Sequence, residues 1–259
     1  MNTPVWMTVK LPDDEMVRHR IGPLTIFFKK IFNDIWITSS RDESLTGEPA
    51  ELPAETDWIR TALPEEFRDF ELTPVFPDRP VVVNSEFAYR VIKGARSRVY
   101  CRIPVFVRIT PLNMPELIVA EIPTIILSNT WFGIFTEGEL AYALSSTARR
   151  VLQKELFEPH LVVCPIEIQN QSDQELRFEK ICLRVDRLSI YIKAHEMWAD
   201  QTLITHHGKE GYSDIEMKGS IPVEAKKGGK LLTRPRTPIK KSFTVRTFKL
   251  LREINVPGI

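Results

Sequence analysis

The sequence is poor in the residues that announce chemistry on their own. Its three cysteines, Cys101, Cys164 and Cys182, lie far apart and form no CxxC pair. That spacing excludes a disulfide scaffold and a paired-cysteine zinc knuckle. The eleven glycines are scattered. Neither GxGxxG nor GxxxxGK[ST] occurs, so no glycine-rich loop gathers backbone N–H groups around a phosphate at a helix start. The Gly228-Gly229 pair sits among lysines but lacks a preceding strand and the Ser or Thr of a phosphate loop. GxSxG and HExxH are absent too. Of the five histidines, His19, His160, His195, His206 and His207, only the last two are adjacent. On a strand, neighbours point to opposite faces and cannot easily share an ion. No metal and no cofactor is expected. The longest apolar stretch, Pro115 to Leu127, is broken by Pro and Glu, so no segment reads as a membrane span. The opening residues lack an apolar core of signal-peptide length, which predicts a reducing, cytoplasmic setting.

What the chain does have is ordinary bulk and an uneven charge. In 259 residues and 29.9 kDa there are 35 basic and 34 acidic side chains, with 43% hydrophobic and 27% charged residues. These proportions belong to a folded globular protein and exclude a fibre or a wholly disordered chain. Ten of the bases fall between Lys226 and Arg252 with no acid among them, leaving 25 bases against 34 acids elsewhere. An acidic body with a basic segment predicts internal docking, subunit docking or an acidic partner.

Most of the pattern is β. Residues 21–38 read as two strands around Asn33-Asp34, and residues 39–57 as a polar loop. A short helix is expected around residues 55–69, where Pro64 and Glu65-Glu66 suit a first turn. Strands follow through Val81–Val83, Phe87–Ile92 and Arg98–Ile109, with Gly94 marking a turn. Residues 137–151 fit a strand or a short helix, the alternation of Leu140, Tyr142 and Leu144 favouring the strand. The clearest meander is residues 160–193, where Ile181, Leu183 and Val185 face one way and Cys182, Arg184 and Asp186 the other. Phe243, Thr247, Leu250, Leu251 and Ile254 follow helical spacing, predicting a C-terminal amphipathic helix. The expected fold is therefore mainly β: antiparallel β-sandwich domains with short peripheral helices and that C-terminal helix. Two domains are expected, an N-terminal β-rich one over residues 1–130 and a C-terminal β-sandwich over 131–259 that carries the basic segment 226–254.

No catalytic constellation stands out. Cysteines within strand-like runs are usually buried small hydrophobes, and no catalytic residue is assigned. Trp131-Phe132-Gly133 is an aromatic turn that can anchor a ligand or an interface, or plug a seam, with Gly133 supplying a positive φ. Arg149-Arg150 can clamp an anion or pair with the acidic N-terminal half. Trp198 joins Trp131, Phe132, Arg149 and Arg150 as a ligand or interface candidate. The basic patch is Lys226, Lys227, Lys230, Arg234, Arg236, Lys240 and Lys241. No helix-turn-helix, zinc finger or aromatic ladder accompanies it, which disfavours nucleic acid.

Five stretches, Trp131 to Gly133, Gly138 to Tyr142, Ala148 to Arg150, Val163 to Asn170 and Phe178 to Tyr191, resemble a prokaryotic family catalogued as domain of unknown function 432 (DUF432). The resemblance runs from about Ile21 to Val223. It implies a prokaryotic cytoplasmic protein and transfers no activity, cofactor or site residue.

Three functions fit. The first is a non-catalytic binding or assembly protein, which a homo-oligomer with its interface around the aromatic turn would support. The second is a small-ligand-binding protein, or an enzyme on an anionic or sugar-like substrate, needing Trp131, Arg149, Glu167 and His195 or His206 in one cleft. The third is a regulatory partner of a membrane protein, or of an acidic protein, through residues 226–254. The residues lean away from enzymatic activity.

Overall fold

A computed structural model describes residues 5–42, 52, 57–64, 66–153, 157–209, 211–238 and 242–250. In chain order its strands are β1 Thr8–Lys10, β2 Met16–Ile21, β3 Leu24–Ile31, β4 Asp34–Arg41, β5 Ile59–Ala62, β6 Asp69–Val75 and β7 Val81–Val91. There follow β8 Arg96–Pro104, β9 Phe106–Pro111, β10 Ala120–Pro123, β11 Ser128–Ile134, β12 Glu137–Ala148, β13 Leu161–Asn170 and β14 Leu176–Leu183. The last are β15 Ile190–Lys193, β16 Glu196–Ala199, β17 Thr202–His206, β18 Tyr212–Met217, β19 Lys230–Thr233, β20 Phe243–Arg246 and β21 Phe248–Leu250.

Two compact units share this chain, and neither is a continuous stretch. The first comprises Met1–Val75, Pro104–Ile126 and Glu158–Leu161; the second comprises Phe76–Ile103, Leu127–Phe157 and Val162–Ile259. Residues 130 and 131 are consecutive in β11.

The first unit has two four-stranded antiparallel sheets, in the orders β1-β6-β9-β10 and β2-β3-β4-β5. Alternation explains their shared core. Ile35 and Ile37 of β4, Phe70 and Leu72 of β6, and Val107 and Ile109 of β9 are each two residues apart, so each pair lies on one face and joins Ile26 and Phe28 of β3. Burying one such side chain stabilises the fold by about 1.5–3 kcal/mol.

The second unit has a five-stranded sheet, β11-β12-β7-β14-β21, and an eight-stranded one, β19-β15-β16-β13-β17-β18-β20, with β8 joining β13 off that path. Both are mixed: β12 runs parallel to β7, and β13 runs parallel to β16 and β17. The near-continuous burial of β13 from Leu161 to Ile166 is what a strand covered on both faces requires. Phe178, fully buried on β14, stacks between Tyr89 at 5.3 Å and Phe248 at 4.6 Å, and Phe178→Ala would remove about 3–5 kcal/mol of packing.

Mainly β is right, but the rest of the expected class needs correcting. The described residues carry no helix of seven residues or more; Val185–Arg187 makes a single 3-10 turn. The helix expected around residues 55–69 is replaced, within the described residues, by β5, whose Ile59 and Thr61 pair with Ile37 and Ile35 of β4. β-Branched side chains at alternate positions favour that ladder over a helix. The C-terminal helix is replaced as far as Leu250 by β20 and β21; residues 251–254 lie outside the described residues. β20 pairs with β18 and β21 with β14. Between them the backbone N–H groups of Thr247 and Phe248 both donate to the Gly211 carbonyl, at 2.7 and 3.1 Å. The chain thus changes sheets at Thr247, and two short strands offset by that break imitate a helical rhythm. Antiparallel pairing throughout is likewise corrected to antiparallel sheets in the first unit and mixed sheets in the second.

Candidate functional site

The residues picked from the sequence fall into several places. Trp131 is 54% exposed and donates from its indole Nε1 to the Ile134 carbonyl at 2.9 Å, lying over the end of the β11–β12 hairpin. Gly133 sits there at φ 142°, where a Cβ would come within 2.3 Å of the Glu137 carbonyl oxygen. Phe132 points the other way, into a small core with Val82, Ala141 and Cys182. These strands border a groove of about 530 Å³ whose wall also carries Lys180, Arg246 and Leu250. Trp198 is buried against Phe157, ring centroids 5.0 Å apart, in a core with Val163, Tyr191 and Ala225.

Within the basic patch, Lys226, Lys227, Lys230 and Arg234 are exposed, and Arg236 donates to the Phe76 carbonyl at 2.6 Å. Lys240 and Lys241 lie outside the described residues. Farther along, Lys249 pairs with Glu179 at 2.8 Å, and Arg246 lies 4.8 Å over the Tyr212 ring. Much of the basic segment is thus woven into the sheets of its own unit.

Arg149 and Arg150 do come together, in a cleft of about 750 Å³ in the second unit. Arg90 at the end of β7 and Arg96 at the start of β8 line the same cleft, as do Tyr89 and Ser97, whose hydroxyl oxygens are 2.6 Å apart. Neither Arg90 nor Arg96 lies in a motif that marks it in the sequence. The sequence cue for them is a pair of arginines flanking the Gly94 turn.

Backbone geometry holds the cleft. Gly94, at φ 74°, lets the chain reverse between β7 and β8. Its N–H donates to the Asn170 carbonyl at 2.8 Å, and the Asn170 N–H returns a bond to the Ala95 carbonyl at 3.0 Å. The fully buried Asn170 side chain is saturated: Nδ2 donates to the Val91 and Gln174 carbonyls, both at 2.8 Å, while Oδ1 accepts from the Ser172 N–H at 3.0 Å and hydroxyl at 2.6 Å. On the other side, Arg149 is fixed by reciprocal backbone bonds with Tyr100 of 2.7 and 3.0 Å.

The electrostatics are one-sided. Arg96 lies 3.5 Å from Glu167, which also accepts from Gln201 at 2.9 Å. Lys93, on the same turn, pairs with Asp173 at 2.6 Å. Among the described residues, no carboxylate pairs with Arg90, Arg149 or Arg150. Three arginines without a carboxylate partner among the described residues therefore line one hollow.

A family profile described as protein of unknown function (DUF432) matches residues 5–252. The chain belongs to that family. No curated protein and no solved structure matches it. In this DUF432 member the other residues weighed for a catalytic cleft do not gather with Arg149. Trp131 borders the separate groove, His195 is exposed at the β15–β16 turn, and His206 is buried with Nδ1 donating to the Tyr212 carbonyl at 3.0 Å. Burial holds the His206 imidazole below its ordinary pKa. Glu167 reaches the cleft only through Arg96. All three cysteines are buried, and burial pushes the thiols of Cys101 and Cys182 up to about 12 and that of Cys164 well above its ordinary value. They are packing groups rather than thiolate nucleophiles. Among the described residues no three His, Cys, Asp or Glu side chains gather to hold a metal ion.

Proposed function

We propose that this chain is a non-catalytic binding protein that takes up an anionic ligand in the arginine cleft of its second unit. One observation carries the reading: Arg90, Arg149 and Arg150 line a cleft of about 750 Å³ without a carboxylate partner among the described residues. A guanidinium stays protonated at every physiological pH and presents planar donors, so it holds an anion but serves neither as base nor as nucleophile. Tyr89 and Ser97 add hydroxyls already engaged with one another. Binding rather than turnover is what such a set performs. The test is calorimetric titration of the full chain with citrate, orthophosphate and pyrophosphate at fixed ionic strength. At least one of them binds the wild-type chain, and Arg149→Ser/Arg150→Ser loses that binding. A wild-type chain that binds none of them sinks the reading.

The β11–β12 hairpin favours a second role, assembly of copies of this chain. It is the edge of its sheet and exposes Trp131, Ile134, Phe135 and Leu140, with Phe135 97% exposed. Clustered apolar side chains on an edge strand mark a contact surface. Mass in solution decides it: Phe135→Glu dissociates an oligomer built there, and a wild-type monomer excludes one.

A further inference from the structure

Resting on the anion-binding reading, we infer that the ligand of the arginine cleft carries two or more phosphoryl groups. The first argument is charge. Three arginines without a carboxylate partner among the described residues, with a fourth shared with Glu167, carry more charge than one carboxylate neutralises, and a single monoanion leaves part of it uncompensated. The second is placement. The four arginines come from the end of β7, the start of β8 and the residues after β12, so three separate segments bring charge to the lining of the hollow. A hollow of about 750 Å³ is more than one phosphate fills.

The third argument is the kind of cation. Lys93, the point charge on this turn, is occupied by Asp173, whereas the side chains left open are arginines. Their planar forks match two oxygens of one phosphoryl group at once. At the lip, Ile92 and Val151 are 66% and 65% exposed, offering apolar surface beside the charges. Phosphoryl groups of this kind occur on soluble phosphoanhydrides and on the headgroups of anionic lipids.

The experiment uses the full chain and four probes at constant ionic strength: pyrophosphate, tripolyphosphate, orthophosphate and citrate. Pyrophosphate and tripolyphosphate bind about tenfold or more tightly than orthophosphate and citrate, and Arg149→Ser/Arg150→Ser reduces that affinity by about tenfold or more. Arg90→Ser serves as an independent variant. Citrate binding as tightly as pyrophosphate overturns the phosphoryl inference and leaves the anion reading standing; binding of no probe overturns both. Vesicles of phosphatidylcholine with and without cardiolipin separate the sources. Sedimentation with cardiolipin that tripolyphosphate reverses supports a lipid headgroup. No sedimentation, with pyrophosphate still bound in solution, supports a soluble ligand.

Discussion

Two cation clusters in this chain differ in one respect, and that respect separates a structural charge from an available one. In the first unit Lys30 is 3% exposed in its side chain and bonds both Asp13 and Glu66, the latter at 2.9 Å. Arg68 reaches the same two carboxylates at 2.8 and 3.1 Å, closing a ring of two cations and two anions. Desolvation pulls the Lys30 ammonium toward neutrality, and its two carboxylates outweigh it, so its pKa ends above the ordinary value. In the second unit Arg90, Arg149 and Arg150 have no such complement among the described residues. Arg90 and Arg150 are exposed and stay hydrated, so the fold tolerates their open charge at little cost. Counting bases along the sequence ranks residues 226–252 first. Asking which bases line one cleft together picks out Arg90, Arg149 and Arg150 instead.

The strongest way to break the comparison is to remove the frame that holds the cleft. Asn170→Asp puts an acceptor-only carboxylate against the Val91 and Gln174 carbonyls and buries an unpaired charge. A loss of about 3–4 kcal/mol in urea unfolding is expected, with anion binding weakened as well, because Val91 sits between Arg90 and Ile92. A change below about 1 kcal/mol would show that Asn170 does not hold the turn.

Asp200 is the inverse of the cleft, a buried carboxyl with no cation partner among the described residues. Its Oδ1 accepts from the Ser189 N–H at 2.9 Å, while Oδ2 has no hydrogen-bond partner among the described residues. Burial pushes its pKa from 3.8 up to about 6. The folded chain therefore keeps a proton that the unfolded chain has released between those values. Stability from this group is fully present below pH 3.8 and is lost as pH rises through about 6. The loss reaches about 3 kcal/mol at most. Asp200→Asn should remove this fall, so the variant gains on the wild type as pH rises, and urea midpoints of both chains from acid to neutral pH measure it. Parallel curves across that range would exclude a raised carboxyl at this position.

These elements were unequally legible. The alternation of Ile166 with Ile168, and of Ile181 with Leu183, gives strands and their faces, because period two is a local property. The parallel partnership of Ile166–Asn170 with Thr202–His206 is invisible in either segment, because periodicity names a face and never a neighbour. The C-terminal misreading has the same root: the break at Thr247 is made by Gly211, more than thirty residues earlier. At the site, Arg149-Arg150 was visible as a pair. Arg90 and Arg96 read as unremarkable strand and turn residues, and only Asn170 and the Tyr100–Arg149 bridge bring them alongside.

Lys30→Met sharpens the contrast from the paired side. Breaking a fully buried ion pair costs about 3–5 kcal/mol, but here both carboxylates reach water and keep Arg68. A cost of about 1–2 kcal/mol by urea denaturation is expected, the lost pair being partly offset by the apolar stem. A neutral or stabilising result would mean that the ring contributes nothing to the first unit.

The smallest stability effect belongs to the cleft itself. Replacing Arg150 by Ser removes a cation that has no carboxylate partner among the described residues and lessens repulsion among the arginines. The Arg149 backbone bonds to Tyr100 are untouched by that change. Unfolding free energy should stay within about 0.5 kcal/mol of wild type, or rise slightly, with the gain shrinking as salt screens the repulsion. A loss above about 1 kcal/mol would mean that Arg150 is held by an attractive partner, and its charge would then be structural like that of Lys30 rather than open to a ligand.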